Sequence, residues 1–81
     1  MKKITIGIEG MMCGMCEVHV NDAFRQNLPG LKKVTSDRRK KRTVILAETD
    51  PGEAAVRQII DQTGYSFLSY TCEEYRKGLF G

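Results

Sequence analysis

Ile4, Ile6 and Ile8 alternate with Lys3, Thr5 and Gly7 and run straight into a turn that carries two cysteines, Gly10-Met11-Met12-Cys13-Gly14-Met15-Cys16. An apolar stripe with helical spacing leaves that turn. A period of two that gives way to a period of about 3.6 at a fixed point constrains the fold strongly. A strand with one buried face must hand over to a helix that packs back onto that face. The stripe consists of Cys16, Val20, Ala23, Phe24 and Leu28, which share one side of a helix predicted over residues 14–27. Pro29-Gly30 stops it. On this reading Cys16 lies on the inward side of the first turn, and Cys13, which precedes the helix, is the more exposed.

The rest of the chain adds a strand to complete this unit and then repeats it as a second strand–helix–strand unit. A second strand is predicted over 31–36, with Leu31 and Val34 as its buried positions although they break strict alternation. A turn covers 37–41. A third strand covers 42–48, where Val44 and Leu46 oppose Thr43, Ile45 and Ala47. Asp50-Pro51-Gly52-Glu53 reads as a helix start, with Asp50 as N-cap, Pro51 in the first helical position and Glu53 closing a capping box. The second helix then runs to Thr63 with Val56, Ile59, Ile60 and Thr63 inward, and Gly64 caps it in the left-handed conformation. A fourth strand covers 65–72, and Leu79-Phe80 lies in a mixed tail. The order βαββαβ specifies an α+β, ferredoxin-like sandwich: a four-stranded antiparallel sheet with two helices on one face. In that topology the cysteine turn, the hairpin between the second and third strands and the Gly64-Tyr65 loop share one end of the molecule.

Eighty-one residues suffice for one core. No apolar run approaches the roughly 20 residues of a membrane span, and Met1-Lys2-Lys3-Ile4 lacks the apolar segment of a signal peptide. The expectation is a cytoplasmic protein without direct membrane insertion. In a reducing compartment three cysteines are metal ligands or redox thiols rather than a disulfide framework. The net charge of +3 is uneven, since residues 32–42 carry seven basic side chains against Asp37 alone. The chain has no Trp, and no aromatic residue interrupts the basic segment, so a base-stacking nucleic-acid surface is not expected.

Cysteines two residues apart at a strand-to-helix turn point at one spot, where the helix N-terminus favours thiolates. They either hold a metal ion or form a disulfide. The residues Gly10-Met11-Met12-Cys13-Gly14-Met15-Cys16 resemble the G-M-x-C-x-x-C signature of heavy-metal-associated domains. These include small copper chaperones and the N-terminal metal-binding domains of copper-transporting P-type ATPases. Val20-x-x-Ala23-Phe24, Leu28-Pro29-Gly30-Leu31 and Ile60-Asp61-x-x-Gly64-Tyr65 extend the resemblance over residues 3–72. It implies a heavy-metal-associated domain over 1–72 and a tail over 73–81.

The resemblance further implies that Cys13 and Cys16 bind Cu(I), a soft ion that accepts two thiolates, and pass it to a partner by ligand exchange. The expected partner is a metal-transporting P-type ATPase or another metal-binding domain, and a metal-bridged homodimer fits two exposed sites. Met11 matches a residue that packs beneath the loop, and Tyr65 matches a position that shields the thiolates; Met12 and Met15 stand where the family commonly has polar or small residues, and either line a docking surface or offer a thioether near the ion. His19, three residues after Cys16, offers a weak third ligand. Arg38, Arg39, Lys40, Lys41 and Arg42 read as a solvated face or, since they share the end of an anionic metal site, as a docking surface that would steer an acidic partner. Met1 fits a free-standing chain, while a fragment of a pump stays open.

Two alternatives stand beside copper. Zn(II), Cd(II) or Hg(II) could be the ion of a site of the same type, flanked here by Glu9 and Glu17. A thiol–disulfide oxidoreductase would also place a C-x-x-C at a helix start, but no Trp adjoins the motif, and neither Pro29 nor Pro51 precedes a strand facing it. A structural zinc site would need four ligands, with Cys72 remote. No catalytic triad, carboxylate pair or phosphate-binding glycine loop is present, so no enzyme is expected.

Overall fold

The computed structural model describes residues 1–75; the expectation for Leu79-Phe80 lies outside them. Six elements follow in the order β1 (Lys2–Glu9), α1 (Gly14–Asn27), β2 (Leu31–Asp37), β3 (Arg42–Ala47), α2 (Glu53–Thr63) and β4 (Ser66–Glu74). The strands form one sheet in the order β2-β3-β1-β4. All three neighbouring pairs are antiparallel. This is the βαββαβ sandwich that the periodicities specify.

Ile4, Ile6 and Ile8 are fully buried, as are Thr43 and Ile45 on β3. They meet Val20 and Phe24 of α1, Leu28 at its C-cap, and Val56, Ile59 and Ile60 of α2 in one cluster. Val44 and Leu46 stand on the opposite, partly exposed face. The single buried polar side chain among the described residues, Thr43, is satisfied through Ser36 Oγ at 2.8 Å, and Ser36 donates to Asn21 Oδ1 at 2.6 Å. A buried hydroxyl without such a partner would carry its full desolvation cost.

Three local expectations need correction. Leu31 is only half-buried, because the β2–β3 register shifts between Leu31 and Lys33; this irregularity is also why Leu31 and Val34 break alternation. The N-cap of α2 is Gly52 at φ 91°, not Asp50. The Asp50 carboxylate instead accepts the Gly52 N–H at 2.9 Å in an Asx turn, and the Tyr70 hydroxyl donates to the same oxygen. β4 continues two residues beyond the expected end because Lys2 and Lys3 of β1 pair with Glu74 and Glu73. Gly64 caps α2 at φ 88° as expected.

Candidate metal centre

β1 ends at Glu9, and Gly10 turns the chain at φ 109°, a conformation that costs a side-chain-bearing residue dearly. A Cβ on Gly10 would also lie 3.2 Å from the Tyr65 ring. The missing side chain thus lets the ring close over the loop. Met11 is 6% exposed and belongs to the core. It anchors the loop from beneath, while Met12 and Met15 stand 83% and 68% exposed above it. Cys13 is the N-cap of α1 and offers no side-chain cap; its carbonyl accepts the N–H groups of Cys16 at 3.0 Å and Glu17 at 3.4 Å. With its sulphur not engaged in capping, Cys13 is exposed, and Cys16 is half-buried against the core.

The two sulphurs lie 3.7 Å apart and both thiols are free. That is too long for a disulfide, whose S–S bond is about 2.05 Å. Sulphurs this close could together hold one soft ion, for which thiolates are the preferred ligands. The Tyr65 hydroxyl donates to the Cys16 sulphur and, with the N–H groups of Met12 and Cys13, lowers this thiol from 9.0 to about 7. The same contact with Cys16 raises the Tyr65 hydroxyl to about 12, helped by burial. Cys16 therefore reaches the thiolate form near neutral pH, the form that binds metal.

The hairpin between β2 and β3 reaches the loop from the other side. The Arg38 N–H donates to Glu17 Oε2 at 2.8 Å, and the Arg38 guanidinium lies 3.4 Å from Glu17 Oε1. Lys41, at φ 55°, accepts the Ile8 N–H on its carbonyl at 2.8 Å, and its ammonium lies 3.4 Å from Glu9. The cysteine turn, the hairpin and the Tyr65 loop do share one end.

His19 is exposed on α1, in a shallow cleft between the helices with Asp22, Gln26 and Gln62. Among the described residues no third His, Cys, Asp or Glu gathers with the cysteine pair. Cys72 pairs with Ile4 at the other end of β1, where burial and then the Asp50 carboxylate push its thiol above the ordinary value. The sequence reading passed over Glu17 as a partner of Arg38. The two are 21 residues apart, and only their opposite charges hinted at the contact.

No family model matches the chain, and no curated protein matches it. Solved structures do. The chain is similar to a copper binding domain from HMA7, a P-type ATPase, at 27% identity and TM-score 0.71, over 86% of this chain and 97% of that one. It is similar to the N-terminal domain of ZntA in the Zn(II)-form at 28% identity and TM-score 0.73, over 83% and 89% of the two chains. The yeast copper transporter domain CCC2A shares the fold at 19% identity and TM-score 0.72, over 96% and 100%. The structural neighbours are heavy-metal-associated domains.

Proposed function

We propose that this chain, a structural neighbour of the heavy-metal-associated domains, binds a soft metal ion on Cys13 and Cys16 and hands it to a partner protein by exchange of thiolates. The observation that carries the reading is the pair of free sulphurs 3.7 Å apart, one exposed and one held near neutrality as a thiolate donor. Copper binding by the HMA7 domain and the Zn(II)-form of ZntA support metal binding on this fold. Cu(I) is the preferred cargo here. It is satisfied by two thiolates, whereas zinc in a closed site takes four ligands, and among the described residues no third His, Cys, Asp or Glu gathers with the pair.

Transfer follows from the exposure of Cys13. A partner's thiolate adds to the ion on the open side, and a three-sulphur arrangement forms. Cys13 or Cys16 then leaves, taking its electron pair, and the ion keeps its oxidation state throughout. Tyr65 shields the inner side. Met12 and Met15 present soft, adaptable surface to the partner, and Arg38, Arg39, Lys40, Lys41 and Arg42 face an acidic domain such as that of a metal-transporting P-type ATPase. The protein on this reading works in the cytoplasm as a carrier, not an enzyme.

The test is an anaerobic titration of the reduced chain with Cu(I) against a competing chelator, with Zn(II) in parallel. One Cu(I) per chain, bound more tightly than Zn(II), is the expected result. Tighter Zn(II) binding would move the cargo assignment to zinc, and binding of neither ion would overturn the metal reading.

A further inference from the structure

The basic side chains that would receive an acidic partner already hold carboxylates of their own. Arg38 binds Glu17, the residue after Cys16, through both its backbone N–H and its guanidinium. Lys41 faces Glu9, which precedes the loop, and its carbonyl takes the N–H of Ile8. Residues 10–16 are thus bracketed by two tethers to the same hairpin, one at the exit of β1 and one in the first turn of α1. The Arg38–Glu17 tether is the stronger. Its carboxylate side chain is 23% exposed and accepts a short charge-assisted bond, whereas Lys41 and Glu9 are largely solvated. Among the described residues the other carboxylate at this part of the hairpin is Asp37, which accepts the N–H groups of Arg39 and Lys40 and shapes the turn itself. Arg39, Lys40 and Arg42 are exposed beside it.

We propose that a carboxylate-rich partner surface docks on this hairpin by replacing Glu17 and Glu9 on Arg38 and Lys41, so that docking loosens the cysteine loop as the partner arrives. Incoming carboxylates are chemically the same acceptors as Glu17 and Glu9, so exchange conserves the ion pairs while cutting the side-chain links to the loop. Before docking, the tethers hold the loop in the arrangement that keeps the ion. After docking, Cys13 and Cys16 move more freely, and the ion leaves more readily. The inference rests on the docking role proposed above and adds regulation of the same site.

Amide hydrogen exchange on the reduced, metal-free chain tests it, with poly-L-glutamate at low ionic strength as the probe. The reporting amides are Ile8, bonded to the Lys41 carbonyl, and Cys16 and Glu17, bonded to the Cys13 carbonyl. In the wild type, poly-L-glutamate is expected to speed their exchange roughly tenfold, the scale of one charge-assisted hydrogen bond. Added salt should suppress the effect. Glu17→Ala and Arg38→Met should exchange quickly from the start and respond little. Glu48→Gln, which breaks the distant Lys32–Glu48 pair, should respond like the wild type. Failure of the polymer to bind, slowed exchange, or an equal response in Glu17→Ala would overturn the inference. Because no metal is present, the result is independent of the titration that tests cargo binding.

Discussion

Replacement of Cys16 by serine is expected to raise the dissociation constant for Cu(I) by about 100- to 10,000-fold, the range over which a second, tethered contact strengthens a first. A serine hydroxyl is a hard donor that stays protonated, so Cys13 alone remains as a soft ligand. Cys13→Ser should lose a comparable amount, because on the proposed reading each of the two sulphurs, 3.7 Å apart, is half of one site. The wild-type affinity should also depend on pH in a defined direction. Cys16 is lowered to about 7, so above that value the thiolate is already formed and binding releases no proton from it. Below it the ion must displace a proton, and affinity falls as pH drops. Competition titrations between pH 5 and 8 read both effects. A serine variant that binds within threefold of the wild type would contradict the assignment of these two ligands.

Phe24→Ala is expected to remove about 3–5 kcal/mol of stability, the usual range for emptying a buried phenylalanine site. Phe24 is fully buried and sits in the cluster that joins both helices to the sheet. A domain this small has little stability to spare. Val18→Ala on the same helix removes an apolar side chain that is 47% exposed, and it should change stability by less than about 0.5 kcal/mol. Urea unfolding followed by circular dichroism distinguishes the two. Equal losses would mean that the inward face of α1 is misassigned.

Much of this architecture was legible because its signals are local. The bounds of α1 follow from the cysteine turn at one end and Pro29-Gly30 at the other, and the alternation of Ile4, Ile6 and Ile8 places β1 without ambiguity. Gly64 marks the end of α2 by the same kind of local chemistry. The start of α2 was misread because Asp50 satisfies two motifs at once. A capping box and an Asx turn begin with the same residue types, and the side chain chose Gly52 and Tyr70. The half-buried Leu31 reflects a register shift, which arises between strands and leaves little trace in either one.

The candidate site divides along the same line. Cys13, Cys16 and Met11 are neighbours in the chain; the relative exposure of the two cysteines follows from helix phase, whereas the burial of Met11 was implied by the resemblance alone. That Tyr65 would reach the same end follows from topology; its hydrogen bond to Cys16 and its ring over Gly10 do not. Least visible was the Glu17–Arg38 contact, because it depends on how the hairpin leans against α1. Charge alone suggested only that residues 38–42 were a surface for something acidic. The structure shows that part of this surface is already occupied by the chain's own carboxylates.

X-ray absorption at the copper edge of the Cu(I)-loaded chain tests the central claim most directly, because it counts the atoms bound to the ion. Two sulphur neighbours and no nitrogen, with the signal lost in the Cys13→Ser/Cys16→Ser double variant, is the predicted result. A nitrogen neighbour would bring His19 into the site, and an unchanged spectrum in the double variant would place the copper elsewhere; either would contradict a carrier built on these two thiolates alone.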